Sequence, residues 1–368
     1  MKIICSQTDL AKGVNIVSKA VPVRSTMAIL ECILIDASTN EIKLMANDME
    51  IGIETVIEGT IEQRGTVAID AKFFGDLIRK LDDSFVTIET NEKYETTITC
   101  EKTEVTVSGL SGEDFAYLPA IARTHPIKIS QLTMKDFVRQ TIFSISMNEN
   151  NKLMTGALFH FSGSNLKVVT LDGNRISIRN VALNQEVEEI KAVVPGKTLN
   201  EVSKILGSNQ DDQLKMFITE NHIIFEFDQT VVVSRLIEGE YFKIDQMLSS
   251  DYETKVIVNK QELLSSIDRA SIMAKEGDKK PIILEISDTS MQLSIESMNR
   301  RMYDEIEISK EGKNITIGFN PKYLIEALRC IDDENVSMYM MNPKSPCIIR
   351  DDADTYSYII LPININNR

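Results

Sequence analysis

At 368 residues, with 43% hydrophobic and 26% charged side chains, the chain has room for two or three globular domains of ordinary composition. No run of 18 apolar residues occurs, which excludes a membrane-spanning helix, and Met1-Lys2-Ile3-Ile4-Cys5 reads as a short strand rather than a signal peptide. The net charge of −15, taken as a sum, argues against nucleic acid, and five scattered cysteines argue against a disulfide framework or a Cys-x-x-Cys zinc site. The simplest location is the reducing cytosol.

The predicted elements recur in one order: a strand, a helix, a group of strands, a second helix and more strands. In the first third a helix is expected over Gln7–Ala20, with Leu10, Val14 and Val17 as its apolar stripe. Strands are expected over Ala28–Ile35 and Glu41–Met45, a second helix over Asp70–Leu81 and a strand over Phe85–Thr90. The second third gives a helix over Gln131–Met147, strands over Ala157–Phe161 and Leu166–Leu171 around a turn at Gly163-Ser164, a helix over Gly196–Gly207, and strands over Ile223–Phe227 and Val231–Arg235. The last third gives helices over Asn259–Lys275 and Asn320–Ile331, with strands over Ile282–Ile286, Met291–Ile295, Val336–Met340 and Tyr356–Leu361.

A spacing of 125 residues ties the thirds together. Lys72, Lys197 and Lys322 keep it, as do Arg79, Lys204 and Arg329 and the acids Asp76, Glu201 and Glu326. The apolar sets Ile69, Val194, Phe319 and Phe74, Leu199, Leu324 keep step. A period of this size is a whole domain, not a solenoid repeat. The expectation is an α+β fold of three tandem copies, two helices on an antiparallel sheet in each, over residues 1–126, 127–252 and 253–368. The joints near His125-Pro126 and Asp251-Tyr252 are short and not Gly/Ser-rich, so the copies should dock.

Charge is not spread evenly. Each of the six predicted helices has one more basic than acidic residue, so the acidic excess lies wholly outside them. Basic helices kept in threefold register suit a polyanion held through its phosphates, without base readout. Ordinary solvated helix faces with local ion pairs are the competing explanation. Nothing makes a case for catalysis: the three histidines are scattered, there is no phosphate loop and no nucleophile elbow, and pairs such as Asp82-Asp83 and Asp351-Asp352 sit in turns. A metal-dependent enzyme acting on nucleic acid and a scaffold without nucleic acid are the alternatives to a non-catalytic binder of a polyanion. Two stretches read as binding text: Leu171-Asp172-Gly173-Asn174-Arg175-Ile176, and the apolar end Tyr358-Ile359-Ile360-Leu361-Pro362-Ile363.

The chain resembles the bacterial sliding clamp, the beta subunit of DNA polymerase III. The resemblance rests on Met1-Lys2-Ile3, Ala28-Ile29-Leu30, Asn47-Asp48-Met49-Glu50, Gly112-Glu113-Asp114-Phe115, Asp172-Gly173-Asn174-Arg175, Gly239-Glu240-Tyr241, Gly318-Phe319-Asn320 with Tyr323, and Leu361-Pro362, in that order along the whole length. It implies a non-catalytic processivity factor without cofactors, two chains forming a six-domain ring head to tail around duplex DNA. The DNA-facing cations it implies are Arg24, Arg79, Lys197, Lys204 and Arg269, to which the repeat adds Lys72, Lys322 and Arg329. A peptide groove is implied at Met154, Leu171, Gly173, Arg175, Ile176 and Phe242, continuing through Met247, Tyr323, Pro346, Ile359, Leu361 and Pro362. Its ligands would be peptides with a Gln and spaced Leu or Phe side chains from polymerase, clamp loader and repair proteins. The implied dimer seam is Val105 and Val107 against Ile272 and Met273. Departures at Tyr241-Phe242, where relatives commonly carry Phe-Pro, and at Asn364 bear on peptide preference.

Overall fold

The computed structural model describes residues 1–244, 251–273, 280–297 and 300–365. Among the described residues six α-helices form: α1 Gln7–Val17, α2 Ala71–Ile78, α3 Gln131–Thr141, α4 Gly196–Ile205, α5 Lys260–Ser271 and α6 Pro321–Leu328. Their starts are set by side chains that satisfy otherwise orphaned backbone donors. Ser6 accepts from the Asp9 amide at 3.0 Å, Asp70 from Phe73 at 2.7 Å, Asn259 from Gln261 and Glu262, and Asn320 from Lys322 at 3.0 Å. Pro321 opens α6, where its missing N–H costs nothing. The stripes Leu10, Val14, Val17 and Leu263, Ile267, Ala270 are buried, as the 3.6-residue period requires.

The strands of the described residues make four antiparallel sheets in two compact units, residues 1–135 with 197–236 and residues 136–196 with 237–368. The units do not follow the thirds because two sheets run across the joints. In the first unit Ile51–Ile57 pairs with Thr230–Arg235, Ile53 lying opposite Val232, and makes an eight-stranded sheet. In the second unit the start of Arg175–Pro195 pairs with Tyr356–Ile360, Ser177 lying opposite Tyr358, and makes a seven-stranded sheet. Ile69, Val194 and Phe319 are all fully buried just before α2, α4 and α6, and Phe74, Leu199 and Leu324 are fully buried inside those helices. The repeat read from spacing is therefore a repeat of packing.

Several boundaries differ from expectation. Ala28–Glu31 is a 3-10 turn and the strand begins at Cys32. The helix expected to Met147 ends at Thr141, followed by a 3-10 turn at Ile142–Ser144. Gly163-Ser164 is not a turn between strands but an irregularity within Gly156–Leu171, because both flanks pair with the one long strand Arg175–Pro195; Gly163 takes φ +58° there. The last strand stops at Ile360, leaving Leu361 outside it. Lys275, expected to close the fifth helix, lies outside the described residues.

Candidate functional site

All eight candidate cations are exposed. Lys72, Lys197 and Lys322 are each the second residue of α2, α4 and α6, while Arg79 and Arg329 cap the ends of α2 and α6 and Lys204 lies in the last turn of α4. A cation at a helix C-terminus is favoured by the helix dipole. Two copies share one local pairing: Arg79 with Asp76, and Lys204 with Glu201 at 2.7 Å. The third copy departs from it, since Arg329 pairs with Asp268 at 3.2 Å and Glu326 turns to Arg175. Lys197 pairs with Asp48, whose other oxygen accepts from the Glu50 and Ile51 amides, and Arg269 pairs with Asp304. Among the described residues Lys72 and Arg24 have no carboxylate within 4 Å. A cleft of about 280 Å³ opens between α1 and α2, with Lys19, Lys72, Asp76 and Arg79 on its walls.

The candidate groove lies in the second unit. Leu171, Ile176 and Ile359 are buried in one apolar cluster, against which Met154 and Phe242 pack half-buried. Tyr241 is buried in the same cluster, and sequence reasoning missed other members of it: Ile244 and Ile348 are buried, and Leu153 and Tyr339 pack against it. The signal was the alternation in Cys347-Ile348-Ile349-Arg350, which puts Ile349 in the opposite core and Ile348 here. Gly173, at φ +89°, forms the exposed turn that returns the chain at Arg175, and no atom stands within 4 Å of where a Cβ would sit. The Leu361 amide donates to the Asn174 carbonyl at 2.9 Å, so Leu361, 44% exposed, stands beside that turn with half-buried Pro362 next to it. Pro346 is half-buried at the start of Cys347–Arg350, and Met247 lies outside the described residues.

Arg175 is not an exposed lip of the groove. It is buried, its Nε donates to Asp172 at 2.9 Å, and its other nitrogens donate to Glu326 and to the Phe143 carbonyl. Its guanidinium lies 4.3 Å from the centre of the Tyr323 ring and 5.4 Å from that of Phe143. Burial opposes its charge, but Tyr358, Glu326 and Asp172 outweigh that and hold its pKa above the ordinary value. Tyr323 is fixed in turn by the Tyr358 hydroxyl, which donates to its carbonyl at 3.1 Å. Arg175 thus clamps α6 to the turn that carries Gly173.

The candidate seam residues stand on different ground. Val105 and Val107 are half-buried on Thr103–Ser108, the last strand of a five-stranded sheet, whose outer edge has no partner strand among the described residues. Ile272 is 67% exposed, whereas Met273 packs against the core of its own unit. No group of three His, Cys, Asp or Glu side chains suited to a metal occurs among the described residues.

A chain of three α+β copies, with cations repeated on the second helix of each and an apolar groove where one sheet crosses from copy to copy, is a clamp-fold protein. The chain belongs to the DNA polymerase III beta subunit family: models of that subunit's N-terminal, central and C-terminal domains match residues 1–119, 128–243 and 245–364. It is 32% identical over 356 residues to the beta sliding clamp of Staphylococcus epidermidis, covering 94% of each chain. A solved structure from Eubacterium rectale assigned to the DNA polymerase III beta subunit superposes with a TM-score of 0.97 at 60% identity, covering 99% of this chain and 100% of that one. The DNA polymerase sliding clamp of Bacillus subtilis superposes with a TM-score of 0.96 at 32% identity, covering 99% of each.

Proposed function

We infer that the chain is a DNA polymerase processivity factor, itself non-catalytic, that acts as a head-to-tail homodimer encircling duplex DNA. Domain boundaries near residues 126 and 252 go with this reading. The observation that carries it is the pairing of strands at the joints. In the first unit the middle strand Ile51–Ile57 of one copy mates with the last strand of the next, Thr230–Arg235. The second unit repeats this with the start of Arg175–Pro195 and with Tyr356–Ile360. Among the described residues the same two strands of the pattern remain unmated as sheet edges: Arg300–Glu307 of the third copy and Thr103–Ser108 of the first. Exposed edges of this kind invite a partner strand.

Carrying the internal register over gives a specific pairing. Val105 holds the place of Val232, since Val105 lies opposite Ile98 and Ile98 opposite Ile88, as Val232 lies opposite Phe225 and Phe225 opposite Met216. Met302 holds the place of Ile53 by the same ladder argument. Val105 then faces Met302 of a second copy, and Lys102 faces Glu305, which is favourable in charge. Two such seams, related by a two-fold axis, close a ring of six copies in which both of these edges are mated. Exposed Ile272, near one end of the seam, becomes buried there.

Duplex DNA is then held by topology, and the exposed cations supply weak, salt-sensitive phosphate contacts that allow sliding. The groove on the second unit takes short peptides of polymerase, clamp loader and repair proteins. Sedimentation of Ile272→Asp tests closure: burying an unpaired carboxylate in an apolar seam costs several kcal/mol, roughly. The expected outcome is a folded monomer that no longer supports long primer-extension products. A dimer indistinguishable from the unsubstituted protein would refute the seam.

A further inference from the structure

The floor of the groove is one row of directly opposed side chains on a single sheet face. Leu171 lies opposite Ile176, Ile176 opposite Ile359, Ile359 opposite Ile348, Ile348 opposite Tyr339, and Tyr339 opposite Lys255. Directly opposed residues share a face. The row is apolar through five strands and ends in a cationic aromatic corner. There Lys255 Nζ lies 5.7 Å and the Arg350 guanidinium 5.2 Å from the centre of the Tyr339 ring, and Tyr252, 43% exposed, packs edge-on with ring centres 5.1 Å apart. Arg350 Nε is buried without a hydrogen-bond partner.

The acids near this corner leave its charge available. Asp354, largely exposed, reaches Arg350 at 3.5 Å. Glu311 faces Lys255 from the neighbouring strand without coming within ion-pair distance, and Glu253 is engaged by Lys313 at 2.8 Å.

The geometry points to a second recognition element in the groove: the corner of Lys255, Arg350, Tyr339 and Tyr252 binds a carboxylate of a partner peptide whose apolar anchor sits over Ile359. This rests on the reading of the groove as a peptide site. Strands stand about 4.8 Å apart, so Lys255 lies about 14 Å from Ile359, the span of about four residues of extended chain at roughly 3.3 Å each. The carboxylate therefore belongs about four residues from the anchor, and an acidic side chain and a chain-terminal carboxylate supply the same chemistry.

The test uses the full-length protein and fluorescent peptides carrying a Gln and spaced Leu and Phe anchors. One arm places Glu four residues to either side of the last anchor, a second ends there in a free carboxylate, and a third is neutral, with Gln and a C-terminal amide. At least one acidic arm should bind about threefold to fivefold tighter than the neutral peptide, the size of one half-exposed ion pair. That ratio should fall to one or below in Lys255→Glu and shrink in Arg350→Gln, and the responding arm identifies the source of the carboxylate. Equal affinities in all arms, or an acidic advantage untouched by both substitutions, would overturn the corner while leaving the groove standing. Absence of binding by every arm would instead remove the groove itself, and the corner with it.

Discussion

Arg175 shows how one buried cation fixes the turn beside a candidate binding surface. It joins Asp172 on the turn, Glu326 on α6 and the Phe143 carbonyl, and two rings cover its faces. Removing one partner of such a buried set costs about 3 kcal/mol, because the acids left behind lose their counter-charge. Arg175→Ala is therefore expected to lower the denaturant midpoint by an amount equivalent to about 3 kcal/mol, and Arg175→Lys to recover only part of it, since an ammonium cannot reach three acceptors in a plane. Chemical denaturation with an unchanged midpoint in Arg175→Ala would refute the clamp. Leu361 is the opposite case: half-exposed, held by its backbone to Asn174, and free to lend its side chain to a ligand. Leu361→Ala should weaken binding of a polymerase-tail peptide by about fivefold, about 1 kcal/mol of apolar contact, while leaving the dimer intact. Unchanged peptide affinity would place the groove elsewhere.

At the scale of elements, the threefold helix was readable in the sequence because its signal is redundant. Lys72, Lys197 and Lys322, the acids that follow them and the buried Phe74, Leu199 and Leu324 all lie in one period, and each constrains the same turn of helix. What spacing could not carry is pairing between distant strands. Nothing local in Val231-Val232-Val233 names Ile51–Ile57 as its partner, so the sheets crossing the joints emerged only from the fold. For the same reason the expected seam names Ile272 and Met273 without the edge strand Arg300–Glu307 that the proposed pairing uses. The apolar cluster under the candidate groove was legible at its two motifs and not at Ile348 or Tyr339, which come from strands whose alternation serves two cores at once. Short or capped ends also escaped, as at Ala28–Glu31, where an apolar run that looks β folds as a 3-10 turn. The repeated lysines give a direct prediction. Replacing Lys72, Lys197 and Lys322 together by Glu should reduce the slope of log affinity for duplex DNA against log salt by about 2 to 3, each lost phosphate contact contributing roughly 0.9. A slope unaltered within error would mean that these helices do not face DNA.

At the scale of the molecule, the proposed ring lets closure do the work that affinity does elsewhere. An acidic chain with weakly basic helices has no means of gripping DNA tightly, and tight gripping would prevent sliding. A ring needs only a bore lined with enough positive charge to be tolerated by phosphates and a seam strong enough to stay shut. The mated edges within the chain set the template for the proposed seam, and a peptide groove apart from it would let partners exchange without opening the ring. The most direct measurement is retention after loading on a nicked circular duplex. The protein should stay bound through gel filtration in moderate salt and be lost when a single restriction cut makes the same DNA linear. Equal retention on circular and linear DNA, or none on either after loading, would contradict encirclement.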